Sequence, residues 1–226
     1  MDERYIFHPA YDGHVHVDFD TTPAIGTEFV GPMGLLARLE LKLGLTRNEI
    51  PDYEREKLYQ EAIAATSLKL FKQSFDLDAA NTTKQLLCWR DALVMAGWKG
   101  EGESESDLLK ELAAIEVKFK ALNTEELLSI ADRWQIVKEN VSALKGKIAI
   151  TVCCEKEQIH PMIACVLETL DAKFEPLMPA EENDIKAYAF TDAYDAYQTA
   201  AVKLNPEKDI IVAQNSKAFN DALLKV

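Results

Sequence analysis

The sequence lacks several features that would place it in a class at once. It contains no run close to the roughly 20 apolar residues of a membrane-spanning helix, and no apolar stretch typical of a signal peptide follows its first residues. It has four histidines and four cysteines without Cys-x-x-Cys spacing, so a zinc finger or ribbon is not predicted. These absences favour a globular domain from a reducing compartment, and we expect a cytoplasmic protein.

Positive charge is also scarce in this chain. Lys and Arg number 25 against 38 Asp and Glu, which leaves a net charge of −13. An acidic surface repels phosphate backbones, so we do not expect the chain to bind nucleic acid through a broad basic face. Its 226 residues suffice for one large domain with a substantial core.

The stretch 30–45 has the best-defined local pattern. The apolar residues before Gly31 predict a short strand, and Gly31 allows a tight turn. Pro32 suits the first position of a helix, where its missing N–H costs nothing. The leucines that follow repeat at helical spacing, and Gly44 fits a left-handed C-terminal cap. The stretch is therefore predicted to be a strand, a tight turn and a helix.

In the rest of the chain the hydrophobic periodicity of the sequence changes near residue 146. Residues 4–20 alternate as an extended segment, residues 46–145 have mostly helical periodicity, and residues 146–226 alternate strand-like and helix-like runs. Strands that alternate with helices indicate βαβ units and a parallel sheet. We predict one α/β domain over 1–226, with 46–145 as an inserted helical bundle and 146–226 as a βαβ region; two independent domains are the alternative.

Two finer predictions concern the helical region. A long helix is expected from Pro51 to about Phe71. A later helix is expected to start at a capping box formed by Asn123 and Glu126, with Ile130 facing inward.

Carboxylate-x-lysine triplets begin at Glu40, Glu116 and Asp171, and such triplets occur in two-metal nucleases. The first two lie in predicted helices, where their side chains diverge, so we interpret them as solvated helix charges. No catalytic residue is predicted from these triplets. The chain also has three tryptophans, expected in the core, at Trp89, Trp98 and Trp134.

A possible metal pair lies near the start of the chain. His14 and His16 are two residues apart on a predicted strand, so both imidazoles point the same way and could bind one ion. The first strand of amidohydrolases carries such a pair. The remaining histidines, His8 and His160, supply few further ligands. A metal-dependent hydrolase that uses His14 and His16 is therefore an alternative, and no metal is assigned.

Residues 26–31 have the glycine spacing of a phosphate-binding loop. Pro32 and Met33 stand where such a loop carries Lys and Ser or Thr. Without these groups there is no cation for the phosphates and no hydroxyl for Mg²⁺, and Pro32 removes an N–H donor. We predict no nucleotide and no other cofactor.

Two motifs together resemble a known family. Residues 30–36 read Val-Gly-Pro-Met-Gly-Leu-Leu and close with Leu-Gly-Leu at 43–45; residues 85–93 read Gln-Leu-Leu-Cys-Trp-Arg-Asp-Ala-Leu, with Ala-Gly-Trp at 96–98. They resemble motifs in the N-terminal helicase-like region of bacterial PD-(D/E)XK exonucleases of the RecB/AddB-like class. A third stretch, the predicted strand at 148–152 with His160 and Pro161 and the later strand at 209–213, lies where those proteins continue a helicase-like α/β domain. The motif residues given structural roles by this resemblance are Gly31, Pro32, Trp89, Arg90, Asp91 and Trp98.

The resemblance implies a degenerate, P-loop-type helicase fold that has lost its nucleotide loop. It also implies a non-catalytic scaffold for a downstream nuclease domain in DNA repair, so this chain would be the N-terminal part of a longer protein. Its partner would be the remainder of its own polypeptide, with DNA bound only by the full-length protein. A plain protein-interaction module is the remaining alternative.

Overall fold

The structure, a computed structural model, describes residues 4–12, 26–45, 52–100, 106–124 and 126–176. Within these ranges the chain forms an α/β fold with four short strands and seven α-helices. The strand and helices predicted after residue 176, and the pair His14 and His16, lie outside the described residues. None of the helices in the described ranges has the length and apolar character needed to cross a membrane.

The four strands form one parallel sheet, which confirms the predicted sheet type. The strands are β1 (Arg4–Phe7), β2 (Thr27–Val30), β3 (Ala149–Val152) and β4 (Lys173–Phe174), in the order β2-β1-β3-β4. The extended segment expected over 4–20 is shorter in its described part. After β1 the chain turns into a 3-10 turn at Pro9–Asp12.

Seven α-helices connect and cover these strands. Their bounds are α1 Pro32–Leu43, α2 Asp52–Ala64, α3 Lys72–Leu77, α4 Ala79–Met95, α5 Asp107–Leu122, α6 Ile130–Asn140 and α7 Pro161–Thr169.

Helix α1 forms as its sequence predicts. Pro32 is its first residue, and Leu35, Leu36 and Leu39 of its leucine stripe are completely buried, while Leu43 is partly buried. Gly44 has a φ of +68°, and its N–H and that of Leu45 donate to the carbonyls of Leu41 and Glu40. This pair of hydrogen bonds is a Schellman motif, which only a residue tolerant of left-handed backbone closes without strain.

The helical region predicted over 46–145 divides between two cores. Helices α2, α4 and α5 surround the first, which contains Tyr59, Leu86, Leu112, Ile115 and Phe119. Helix α6 instead packs with α1 and α7 over the sheet, where Trp134 is buried beside side chains of β1 and β3. Helix α6 therefore joins the two cores, because it also packs against α4.

The long helix predicted to reach Phe71 ends at Ala64. Residues 65–71 follow as an irregular segment, and the buried carboxylate of Glu111 on α5 holds it in place. That carboxylate accepts hydrogen bonds from the N–H groups of Lys69 (2.9 Å), Leu70 (2.8 Å) and Phe71 (3.4 Å). A contact 40 or more residues away in sequence thus satisfies backbone donors that a continuing helix would have paired internally.

The predicted capping box was placed wrongly. Helix α6 begins at Ile130, and its capping box joins Ser129 with Asp132. Asn123 instead ends α5, and its side chain exchanges hydrogen bonds with the backbone of Leu127. Ile130, expected to face inward, is exposed.

Candidate functional site at the carboxyl edge of the sheet

The carboxyl ends of the strands are where open α/β sheets usually bind ligands. In the order β2-β1-β3-β4, the sheet grows outward in opposite directions from β1 and β3, so the crevice between these two strands is the expected position. Residues that directly follow the four strands are His8, Gly31, Cys153 and Glu175.

Asp12 occupies the anion position at the start of α1. Its carboxylate accepts hydrogen bonds from the N–H groups of Met33 (2.7 Å) and Gly34 (3.0 Å). These are the donors, at the positive end of the helix dipole, that would bind a phosphate in a nucleotide-binding loop. The chain therefore supplies its own anion to this helix.

Gly31 is required by the close approach of Asp12. A Cβ built on Gly31 would lie 2.5 Å from Cγ and Oδ1 of Asp12, which is closer than side-chain atoms can pack. Gly34 has no such restriction, because its built Cβ would meet Val30 at 3.5 Å and Asp12 at 3.8 Å. Gly31 thus leaves the space that the Asp12 carboxylate occupies, and Pro32 is the first residue of the helix whose amides donate to that carboxylate.

The helix that follows β3 is capped in a similar way. Pro161 is the first residue of α7, and Nδ1 of His160 accepts a hydrogen bond from the Met162 N–H at 3.2 Å. Both α1 and α7 therefore begin with proline and have an N-terminal donor satisfied by a side chain of this protein. This arrangement leaves fewer free amides for an external anion.

Tyr11 and Cys153 lie beside these caps. The ring of Tyr11 packs 5.2 Å from His8 and edge-on to Phe29 at 5.7 Å, measured between centroids. Burial, and then the nearby Cys153, raises the pKa of Tyr11. Burial, and then the carboxylate of Glu175, raises the pKa of the Cys153 thiol. A thiol with a raised pKa stays protonated near neutral pH, so Cys153 is not an activated nucleophile.

The charge at this edge opposes phosphate binding. The described residues that follow the strands, at 8–12, 31, 153–155 and 175–176, include three carboxylates, and Lys156, the next residue after Glu155, is paired with Glu168. Across the described part of the chain, no group of three or more His, Cys, Asp or Glu side chains is arranged to hold a metal ion. The strand order of this sheet is that of an open α/β sheet with a ligand-binding edge, but side chains of the protein itself accept the hydrogen bonds from the helix amides there.

The Trp-Arg-Asp motif lies on α4, away from this edge. Arg90 is 4% exposed, and its Nε and Nη2 each donate to a Glu116 oxygen at 3.0 Å. Its Nη1 donates to Asp132 at 2.7 Å and to Asp91 at 3.0 Å. Asp91 in turn accepts two hydrogen bonds from Arg55, at 2.7 and 3.0 Å. These ion pairs connect α2, α4, α5 and α6, and we call them the Arg90 cluster.

The surroundings of the Arg90 cluster are apolar. The Arg90 guanidinium carbon lies 5.6 Å from the centre of the Phe119 ring, and the Tyr59 ring packs edge-on to Phe119 at 5.1 Å. Burial would by itself lower the pKa of Arg90, but its bonds to Glu116 and Asp132 outweigh burial and raise it. The guanidinium is therefore charged at every physiological pH, and its carboxylate partners balance that charge.

The interpretation of Glu40 and Glu116 as solvated charges is wrong. Glu116 is 1% exposed within the Arg90 cluster. Glu40 is also buried, and its two carboxylate oxygens accept hydrogen bonds from Arg133, one at 2.8 Å from Nε, which joins α1 to α6. Helical periodicity placed both glutamates outward because it cannot show that a guanidinium from a distant helix meets them.

The three tryptophans have different environments. Trp134 is buried in the core beside the sheet, as predicted, and Trp98 folds back against the helical core. Trp89 is 39% exposed and contacts Phe71, with ring centres 6.1 Å apart. The prediction that all three are core residues is therefore wrong for Trp89, while its motif neighbours Arg90 and Asp91 form the ion pairs of the Arg90 cluster.

Comparison with protein-family models gives no match, and comparison with curated proteins gives no significant match. The family resemblance of the two motifs therefore stays a prediction. Of the six residues, Gly31 and Pro32 lie at the start of α1, and the other four lie on or just after α4.

Exchanging Gly31 and Gly34 for alanine tests the seat around Asp12. Gly31→Ala is expected to lower the free energy of unfolding by about 1–3 kcal/mol, because the added methyl displaces Asp12. The matched control Gly34→Ala is expected to be neutral or to stabilise by up to about 1 kcal/mol, since alanine suits a helix better than glycine. Urea denaturation measures both. Equal destabilisation by the two alanines would contradict the described geometry.

Removing the charge of Arg90 tests the ion-pair cluster. Arg90→Met leaves the buried Glu116 carboxylate with only the exposed Lys120, 4.0 Å away, and is expected to cost about 3–5 kcal/mol of unfolding free energy. The control Lys72→Met breaks an exposed pair with Asp76 and is expected to cost at most about 1 kcal/mol. Comparable losses in chemical denaturation would show that the buried cluster is not the stronger contact.

The lowered pKa of Asp132 predicts how the free energy of unfolding depends on pH. Burial would raise the pKa of Asp132, but hydrogen bonds and charge from Arg90 outweigh burial and hold that pKa below the usual value of an aspartate. A carboxyl with a lowered folded-state pKa stabilises the protein above its unfolded pKa and loses that contribution as the pH falls through the folded value. Unfolding free energy should therefore fall between about pH 5 and about pH 2, with a shallower slope in Asp132→Asn. An unchanged slope in that variant would contradict the assignment.

Proposed function

We propose that this chain is a non-catalytic, helicase-like domain that acts as a scaffold for the nuclease domain of a PD-(D/E)XK exonuclease in DNA repair. The single observation that carries the proposal is the carboxylate of Asp12 on the amides of Met33 and Gly34. The strand, glycine turn and helix follow one another here in the order of a nucleotide-binding loop. The first amides of the helix, however, donate to a carboxylate of the same chain and not to a ligand. It has no need of, and little room for, a phosphate.

The charge of the chain supports a role apart from nucleotide and DNA chemistry. The net charge is −13, and the residues after the strands add carboxylates at the position where a triphosphate would lie. A phosphate there would meet repulsion from Asp12 and Glu175, while Lys156, which follows β3, is already paired with Glu168. DNA contact is accordingly assigned to the full-length protein.

The second motif supports a structural role for this domain. Arg90 and Asp91 are fully engaged with carboxylates and a guanidinium of the same chain. Both residues are therefore committed to fixing the relative positions of four helices, as expected of a domain that presents a rigid surface to the rest of a polypeptide. The motif similarity to RecB/AddB-like exonucleases supplies the nuclease context for that surface.

Two measurements test the proposal directly. The purified chain with Mg²⁺ is expected to hydrolyse ATP and to cut linear duplex DNA no faster than a buffer control. The reading frame is expected to continue past Val226 into an Asp and Asp/Glu-x-Lys nuclease motif. ATP turnover by the chain alone, or a frame that stops at Val226, would overturn the proposal.

The alternative of a metal-dependent hydrolase rests on the sequence pair His14 and His16. Elemental analysis of the purified chain separates it from the scaffold. The scaffold predicts no stoichiometric zinc, manganese or iron, whereas the hydrolase predicts one that is lost in His14→Ala.

A further inference from the structure

Among the described residues, the hydroxyl of Tyr59 is the one buried polar side-chain atom without a hydrogen-bond partner in the protein. Tyr59 lies on α2 and is 0% exposed, with its ring edge-on to Phe119 in the helical core. Buried tyrosines usually bring their hydroxyl to a partner, because an unpaired polar group loses the hydrogen bonds that it makes to water in the unfolded chain. An unpaired hydroxyl in a core therefore indicates either a bound water molecule or a site of strain.

The carboxylate of Glu116 on α5 can accept more hydrogen bonds than the described residues give it. Its two oxygens accept one hydrogen bond each, both from Arg90, whereas an ionised carboxylate has about four acceptor positions. Glu116 is 1% exposed, so bulk water does not reach the remaining positions. Lys120 approaches one oxygen only to 4.0 Å and donates to the carbonyl of Lys99 at 2.8 Å. The core thus contains a buried donor without an acceptor and a buried acceptor with unused capacity.

These two groups lie in the same part of the core. The Tyr59 ring and the Arg90 guanidinium carbon both pack against the Phe119 ring, at 5.1 and 5.6 Å from its centre. Burial, and then the Glu116 carboxylate, raises the pKa of Tyr59, and Glu116 has the largest effect of the charged groups around the hydroxyl. The hydroxyl therefore keeps its proton at physiological pH and lies beside the Arg90 cluster as a donor, with no direct hydrogen bond to it.

We propose that one internal water molecule lies between α2 and α5, where it accepts a hydrogen bond from the Tyr59 hydroxyl and donates one to the Glu116 carboxylate. A water molecule is both donor and acceptor, so it can join two groups that do not bond to each other directly. A cation is a poorer ligand, because the Arg90 guanidinium already lies against Glu116 and would repel it. The water would connect α2 to the Arg90 cluster at a second point, besides the pair of Arg55 with Asp91.

Tyr59→Phe tests whether the hydroxyl has a bound partner. The change removes one oxygen and leaves the ring to pack against Phe119, so the variant is expected to fold. Loss of a hydrogen bond to a water that is itself bonded to a buried carboxylate is expected to raise the unfolding equilibrium constant about fivefold or more in urea denaturation. A hydroxyl without any partner predicts the opposite sign, because the variant then removes an unsatisfied polar group from the core.

Tyr53→Phe is the matched control, because it makes the same chemical change on the same helix. Tyr53 is 65% exposed, and its hydroxyl donates to Glu54 at 3.1 Å on the surface. Bulk water replaces that bond when the hydroxyl is removed, so the unfolding equilibrium constant is expected to change less than about twofold. Equal effects of the two variants would contradict a buried bridge at Tyr59.

A high-resolution crystal structure of the chain locates the water directly. It is expected to show one ordered water at about 2.7–3.2 Å from both the Tyr59 hydroxyl oxygen and a Glu116 oxygen. A direct hydrogen bond from Tyr59 to Glu116, or a hydroxyl with no water beside it, would overturn the inference, as would a Tyr59→Phe variant that is as stable as the parent chain or more so. None of these results affects the proposed function, which the ATP, nuclease and reading-frame measurements test separately.

Discussion

The helical part of this protein depends on the guanidinium of Arg90. Five N–H donors in a fixed plane face Glu116 on α5, Asp132 on α6 and Asp91 on α4 itself, and Arg55 extends the cluster to α2. A buried ion of this kind contributes less to net stability than its number of bonds suggests, because all members are removed from water. Its main effect is on geometry, since any other arrangement of the four helices leaves a buried charge unpaired.

The same use of carboxylates recurs through the structure. Asp12 satisfies amides at the start of α1, Glu111 satisfies the irregular segment before α3, and Glu40 pairs with Arg133 between α1 and α6. An excess of acidic residues is therefore only partly a surface property here. Several of the carboxylates act as internal ligands for backbone amides and guanidinium groups, which explains why an acidic chain can keep them out of water.

Two surfaces of the molecule contrast in what they leave open. At the carboxyl edge of the sheet, where α/β proteins usually bind ligands, the Asp12 carboxylate already accepts the hydrogen bonds from the first amides of α1. Burial raises the pKa of the Cys153 thiol at this edge, so the thiol stays protonated. By contrast, Trp89 on α4 and Leu108 on α5 are large apolar side chains that remain exposed. The proposed scaffold would need exposed apolar side chains of this kind, because its role would be to pack against a partner.

The sequence by itself determined the local elements: the strand, turn and helix around Gly31, the left-handed cap at Gly44 and the parallel sheet type. These depend on neighbours a few residues apart, through backbone sterics, proline geometry and hydrophobic periodicity. Only the tertiary structure decided that the Asp12 carboxylate binds the first amides of α1 and that Glu116 is buried rather than solvated. Both outcomes depend on contacts between residues more than 20 positions apart. The periodicity of a single helix carries no information about the charged side chains that a distant segment brings into contact with it.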